Sequence, residues 1–399
     1  MDPDTDGDTA GAHDEKTPLD APLDEFLDAK AKTYDPKTGA RSGAYATQLN
    51  RTLQKWIDWL DDRGVEYLED LDSQTVGRWA QYLSRRVASH NADADSGLSR
   101  ASAWTYYNHV SAYLTYCREW EFIAENPAQA AVVENAMPDR PSGGSKNQQF
   151  WSPTQRQTLL QYVDERAHNA IDERGSDAVT EVRDRALCYL LGYSGVRGAE
   201  VLSHPDTDWD GRNGAPWDAL DLESATISIY GKSQEWEQAP LTDKPRPALE
   251  RWHDILDPST GEWPLFPTSH RPSLWSSLRE QLEERGHNNT DELLDPYDDV
   301  MDAYRAYDCV PPALTTAGGR QLLKRLSESA GVDTSDDSKN YLTLHGARRG
   351  AGEMYYRKEG ASAAQRALRH ADPSTTSEMY SHIEASELSE IGSRVFDDE

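Results

Sequence analysis

His345-Gly-Ala-Arg348-Arg349, then Leu368-Arg369-His370, then Met379-Tyr380-Ser381-His382 are three short pieces of a 399-residue chain, and they decide how it reads. The chain as a whole carries a formal net charge of −29. Between His345 and His370, however, six cations (Arg348, Arg349, Arg357, Lys358, Arg366, Arg369) face only Glu353 and Glu359. Such a local reversal of sign needs a physical reason, and an anion-binding site that ends at a tyrosine supplies one. The i, i+3 spacing of His345 and Arg348 predicts that both lie on one face of a helix.

The length allows two or more domains with real cores. Hydrophobic residues make up 37% of the chain and charged residues 28%, the balance of a soluble globular protein. No apolar run approaches the ~20 residues that span a bilayer. The start, Met1-Asp-Pro-Asp-Thr-Asp-Gly-Asp, lacks the basic and apolar regions of a signal peptide, so a cytoplasmic protein with no membrane partner is expected. Cys117, Cys188 and Cys309 are odd in number and fit no metal-ligand spacing; Cys117 and Cys188 read as small buried hydrophobes. No metal, cofactor or small-molecule substrate is expected.

The acidity argues at first against nucleic acid, whose binders carry a basic footprint. Its distribution argues otherwise. Acidic residues cover loops and helix surfaces along the whole chain, and 30 arginines outnumber 11 lysines. This pattern resembles proteins of salt-accumulating halophiles, so a halophilic archaeal source is expected. At ~1 M salt the Debye length is about 3 Å, and long-range repulsion from DNA is screened. Binding there depends on close contacts, because counterion release contributes little.

Along the chain, residues 1–20 are polar and acidic and are expected to form a disordered tail. A helical domain is expected over 21–136. Leu49, Leu53, Trp56 and Leu60 mark one helix face; Val76, Trp79, Ala80 and Leu83 mark a second behind a Ser73 cap; Tyr106, Val110, Tyr113, Leu114 and Cys117 mark a third behind Ser99. Apolar periodicity then vanishes over 137–150, the composition of a linker. A second domain is expected over 151–399. It opens with Ser152-Pro-Thr-Gln155, a capping box with proline at the first helical position. A helix through Val182, Ala186, Leu190 and Tyr193 stops at Gly195. Alternation in 225–230 and 238–241 around Gly231-Lys232 predicts a β-hairpin. Residues 285–312 are acidic and rich in Asp, Asn and Pro, and an exposed insertion is expected. Helices follow at roughly 315–331 and 346–359. The fold class is therefore mainly α with a small β-hairpin or sheet.

Single pieces of chemistry are weak. Arg197-Gly-Ala-Glu200 alone reads as a surface ion pair, and Lys232 alone as a solvated turn lysine. Their order changes this. Arg197-x-x-Glu200, a hairpin Lys232, His345-x-x-Arg348, Leu368-x-His370 and Tyr380, taken together, resemble the tyrosine recombinase (phage integrase, Xer-type) family. The resemblance covers roughly residues 22–385. The N-terminal unit, ending in Asn126-Pro127-Ala128, looks like that family's SAM-like core-binding domain.

The resemblance implies a two-domain clamp on double-stranded DNA, acting as a homotetramer on two sites. Strands would be cut and rejoined by transesterification through a 3′-phosphotyrosyl intermediate. Arg197 and Arg348 would clamp the scissile phosphate, where bidentate, permanently charged guanidiniums suit the geometry. Glu200 would brace Arg197. Lys232 would protonate the leaving 5′-oxygen, His345 would assist removal of the nucleophile's proton or hold the phosphate, and His370 would donate to the phosphate. Tyr380 would be the nucleophile. Tyr355 and Tyr356, inside the His-x-x-Arg helix, read instead as packing residues.

The chain departs from the family pattern in four places. The His370–Tyr380 spacing is one residue longer, Arg349 stands where a second histidine is common, Arg369 replaces the usual glycine, and Glu237 sits near a commonly basic hairpin position. His382 matches the pattern and reads as structural. Two other activities share these residues: a catalytically silent DNA-binding regulator, and type IB topoisomerase-like relaxation of DNA.

Overall fold

The computed structural model describes residues 16–35, 37, 39, 41–92, 97–141, 148–204, 213–231, 235–337, 339–381 and 383. The chain divides into two compact units, Met1–Gly143 and Gly144–Glu399.

The first unit contains α1 (Leu23–Lys30), α2 (Ala44–Asp61), α3 (Ser73–Ala92), α4 (Arg100–Glu119) and α5 (Ala131–Glu134), with a two-residue ribbon, β1 (Thr33–Tyr34) and β2 (Arg41–Ser42). Leu49, Leu53, Trp56 and Leu60 are fully buried on α2, as their spacing predicts. Ser99 caps α4 by accepting from Ser102 N. The cap of α3 lies one residue earlier than expected: Asp72 Oδ1, not Ser73, accepts from Thr75 N at 2.7 Å. An ionised carboxylate is the better acceptor at a positive helix end. Asn126 is buried, with its amide donating to Ser111 O and Thr115 Oγ1, both at 2.9 Å, which closes the unit onto α4.

Two boundaries need correction. Residues 16–20, expected in the disordered tail, pack instead: Leu19 is buried and accepts from the Tyr113 hydroxyl, and Leu68 N donates to Thr17 O at 2.8 Å. A single apolar side chain among polar ones carries no periodicity from which docking could be read. Residues 1–15 lie outside the described residues. The expected linker 137–150 is likewise shorter. Met137 is buried in the first core, and Pro138 O accepts from Trp104 Nε1. Gln149 is buried in the second unit, donating to Tyr341 O at 2.8 Å and accepting from Thr343 N at 2.6 Å.

The second unit runs α6 (Pro153–Arg174), α7 (Val179–Ser194), α8 (Gly198–Val201), β3 (Leu220–Asp221), β4 (Thr226–Tyr230), β5 (Trp236–Pro240), α9 (Arg246–Leu256), α10 (Arg271–Glu284), α11 (Thr290–Leu294), α12 (Val300–Ala306), α13 (Thr316–Ser329), α14 (Leu344–Glu359) and α15 (Ala361–Leu368). Residues 373–381 are also helical. The Ser152 capping box is present in full, with both the Ser152 and Gln155 bonds. The predicted hairpin pairs β4 with β5 antiparallel, Thr226 opposite Pro240 and Tyr230 opposite Trp236. A third strand, β3, joins β4 at Leu220–Ile227. Two residues are too few for alternation, so β3 left no signal.

Residues 285–312 are not an exposed insertion. Leu294, Val300, Ala303, Tyr304 and Cys309 are in the core, and Trp263 Nε1 donates to Cys309 O at 2.9 Å. The acidic residues lie on the outer side of two short helices, so average composition hid the apolar residues between them. The described residues are mainly α-helical, with the β1–β2 ribbon and one three-stranded antiparallel sheet, and no helix among them is long and apolar enough to cross a membrane.

Candidate active site

Four segments converge at the site. Helix α7 ends at Gly195, whose φ of 69° is the left-handed conformation that glycine adopts without penalty. The chain turns there and delivers Arg197 as the residue that opens α8. Glu200, three residues on, accepts from Arg197 N through Oε2 and from Arg197 Nη1 through Oε1, each at 2.6 Å. The Glu200 side chain is wholly buried. The pair is therefore buried on the carboxylate side, not the surface ion pair that the spacing alone suggested.

Helix α14 begins at a Thr343 cap whose hydroxyl accepts from Gly346 N. It therefore starts earlier than the predicted 346, and His345 and Arg348 sit in its first turns. Arg348 is 2% exposed. Its Nη1 donates to Gly195 O at 2.6 Å, and its Nη2 donates to Leu368 O. These carbonyls terminate α7 and α15, where the helix dipoles favour a cation. Arg348 thus staples two helix ends and keeps only its remaining N–H groups for a ligand.

The C-terminal end of α15 brings Arg369 and His370. Arg369 Nη2 meets Glu200 Oε2 at 2.7 Å, and its Nε meets Glu237 Oε2 on β5 at 3.2 Å. His370 Nδ1 lies 2.9 Å from the buried Thr376 hydroxyl, and its backbone N–H donates to Gln365 O. Between His370 and Tyr380 the chain turns at Asp372, whose Oδ1 accepts from Ser374 N at 2.8 Å.

The electrostatics are those of confined positive charge. Burial works to raise the Glu200 carboxyl, but Arg369 and Arg197 outweigh it and hold the group below its usual range. Burial and the Arg197 guanidinium push Arg348 down to about 9, which leaves it charged at neutral pH. Burial and the guanidiniums of Arg349, Arg348 and Arg197 push His345 down to about 4. Burial, Arg348, Arg197 and Arg369 do the same to His370, also to about 4. His345 is nonetheless open to solvent. Both imidazoles are neutral at pH 7, and a bound anion would raise them.

Tyr380 stands apart from this basin. It is fully buried in an apolar nest with Tyr356, Leu368, Ile383 and Phe150, and its hydroxyl donates to Arg349 O at 3.2 Å. Its ring centroid lies 5.2 Å from that of Tyr356, which packs as expected. Gly352 makes room for the phenol, since a Cβ there would collide with Tyr380 Oη. Burial raises the phenol above its usual pKa, against the opposing pull of Arg348. Lys232 and His382 lie outside the described residues. Sequence reading missed Thr376 as the partner of His370, and it noted Arg369 and Glu237 as separate departures without pairing them. Their opposite charges were the only available signal.

The fold is one found in several solved recombinase and integrase structures. It shares its fold with the XerH site-specific recombinase bound to palindromic difH substrate in a post-cleavage complex, at 16% identity and a TM-score of 0.59, over 95% of this chain and 97% of that one. A lambda integrase dimer bound to a COC′ core site matches at 12% identity and a TM-score of 0.50, over 91% of this chain and 77% of that one. The Tn1549 transposon integrase in complex with circular intermediate DNA matches at 12% identity and 0.51, over 91% and 95%. In sequence, the tyrosine recombinase XerC of Xanthomonas campestris pv. campestris is 24% identical over 202 residues, 51% of this chain and 50% of that protein. The chain therefore spans about half the length of the curated relatives it matches. No family model matches it.

Proposed function

We propose that this protein is a site-specific DNA recombinase that breaks and rejoins strands through a covalent link to Tyr380. One observation carries the reading: Arg197, His345, Arg348 and His370, from three separate segments, gather around buried Glu200 with both imidazoles neutral. Arg197 and Arg348 donate to the non-bridging oxygens of a scissile phosphate and stabilise the charge that builds on them. His370 donates to the same group. The Tyr380 oxygen attacks phosphorus and gives its proton to His345, the P–O bond to the 5′-oxygen breaks, and Lys232 protonates that leaving oxygen. The reverse steps with a new 5′-hydroxyl rejoin the strand. The phosphodiester energy stays in the phosphotyrosyl bond, so neither nucleotide nor metal is consumed.

A fully buried phenol on the Arg349 carbonyl is a resting nucleophile. Engagement requires residues 373–383 to shift until the hydroxyl leaves that carbonyl and faces the basin. The partner is double-stranded DNA, with a homotetramer on two sites as the working assembly. The acidic surface suits a cytoplasm rich in salt, in a halophilic archaeal host.

The test is a pool of nicked suicide duplexes with randomised cores, incubated with the protein in high salt and recovered under denaturing conditions. Wild type is expected to yield covalent protein–DNA adducts enriched for one sequence, and Tyr380→Phe none. DNA binding without adduct would make the chain a silent regulator, and adducts without sequence enrichment would make it topoisomerase-like.

A further inference from the structure

We propose that Arg369 is a positioning residue that latches the β4–β5 hairpin to the arginine basin by joining Glu237 to Glu200. The role rests on the recombinase reading above, but the latch itself is visible without it.

Arg369 has a left-handed backbone, φ 54° and ψ 49°, at the C-terminal end of α15. That region favours glycine, so an arginine there carries a backbone cost that other contacts offset. The Arg369 side chain is 9% exposed and divides its fork between two carboxylates of different elements. Nη2 takes Glu200, which is wholly buried and already holds Arg197; Nε takes Glu237, the second residue of β5, opposite Ile229. The Glu237 carboxylate in turn packs over Gly231 in the hairpin turn, where a Cβ would meet it at 2.8 Å. One guanidinium therefore connects the start of α8, the end of α15 and the hairpin. A planar fork makes this bridge and an ammonium does not. Two of the departures from the recombinase pattern, Arg369 and Glu237, are thus paired with each other.

Two consequences follow. Strand β5, which follows Lys232 in sequence, is tied to the basin by a side chain far from it in the chain. The register of His370, adjacent to Arg369, is held by the same contact.

Variants Arg369→Gly, Glu237→Gln and the double change test this. Arg369→Gly is compatible with the backbone, and Glu200 keeps Arg197 as a partner in that variant. Without DNA, hydrogen exchange across Thr226–Pro240 is expected to quicken in each single variant, and no further in the double one. Unchanged exchange in the single variants, or additive quickening in the double one, overturns the latch. On the duplex recovered by adduct selection, both single variants are expected to slow adduct formation by about ten- to a hundredfold, the scale of a misplaced catalytic group. A duplex whose bridging 5′-oxygen is replaced by sulfur releases a thiolate that needs no proton donor, and there the defect of Glu237→Gln is expected to shrink to about twofold. Arg369→Lys should not rescue. Equal slowing on both duplexes makes the contact merely structural and overturns the positioning role. A wild type that forms no adduct sinks the recombinase reading, while the exchange measurement still decides the latch.

Discussion

The second unit contains two wholly buried carboxylates ringed by arginines, Asp184 and Glu200, and they serve different ends. Asp184, on α7, meets Arg166 at 2.9 Å, Arg183 at 2.8 Å and Arg325 at 3.2 Å. Arg325 is 58% exposed, and Arg174, which joins the network through Glu181, is 46% exposed. Surplus positive charge there drains into water. Around Glu200 the guanidiniums have no such outlet: Arg197 is 24% exposed, Arg369 9%, and Arg348 is buried. The field stays inside the protein and falls on His345 and His370. A buried carboxylate with several arginines is thus no evidence for a site by itself. Confinement of the surplus charge, with titratable groups in its reach, is what separates the proposed reaction basin from a structural tie.

The comparison breaks most directly at the carboxylates themselves. Asp184→Asn and Glu200→Gln should each cost about 3–5 kcal/mol in denaturant unfolding, since each leaves buried guanidiniums uncompensated. Only Glu200→Gln should further depress the titration of His345 and His370, followed by NMR. If Asp184→Asn moves the two histidines equally, the distinction fails.

Acid titration gives a smaller effect. Both histidines bind protons more weakly in the folded chain, near pH 4, than in the unfolded chain, near 6.5. The unfolded state therefore takes up protons first, and stability should fall as pH drops from about 6.5 to 4. About 1–3 kcal/mol is expected for the pair, after discounting for solvent at the open edge of His345. Thermal melts of a His345→Gln, His370→Gln double variant should lose this slope, while the Asp184→Asn protein keeps it.

The smallest effect is expected at the rim. Arg325→Ala should change stability by about 0–1 kcal/mol, the scale of an exposed ion pair, and leave adduct formation at the wild-type rate. A large loss of either would mean that the Asp184 network does not shed its charge to solvent.

Much of this architecture was written in local pattern. Helix α2 showed its buried stripe at Leu49, Leu53, Trp56 and Leu60, and α6 its capping box, because periodicity and caps act within a few residues. Arg197, Glu200, His345, Arg348 and His370 were legible as types in order, and the fold gathers them. The docking of Leu19 and the burial of Tyr304 and Cys309 were not, since each depends on partners distant in sequence, and β3 was too short to show alternation.

By itself, then, the sequence determined which side chains carry charge, which helices form, and that a cationic window ends near a tyrosine. Tertiary structure alone decided that Arg348 is spent largely on helix-end carbonyls, that the Tyr380 phenol rests among apolar rings, and that Arg369 and Glu237 are partners. The reason is physical. Composition and spacing specify local torsions and charges, whereas burial, dielectric and the sharing of one carboxylate by two arginines exist only once distant segments are packed together.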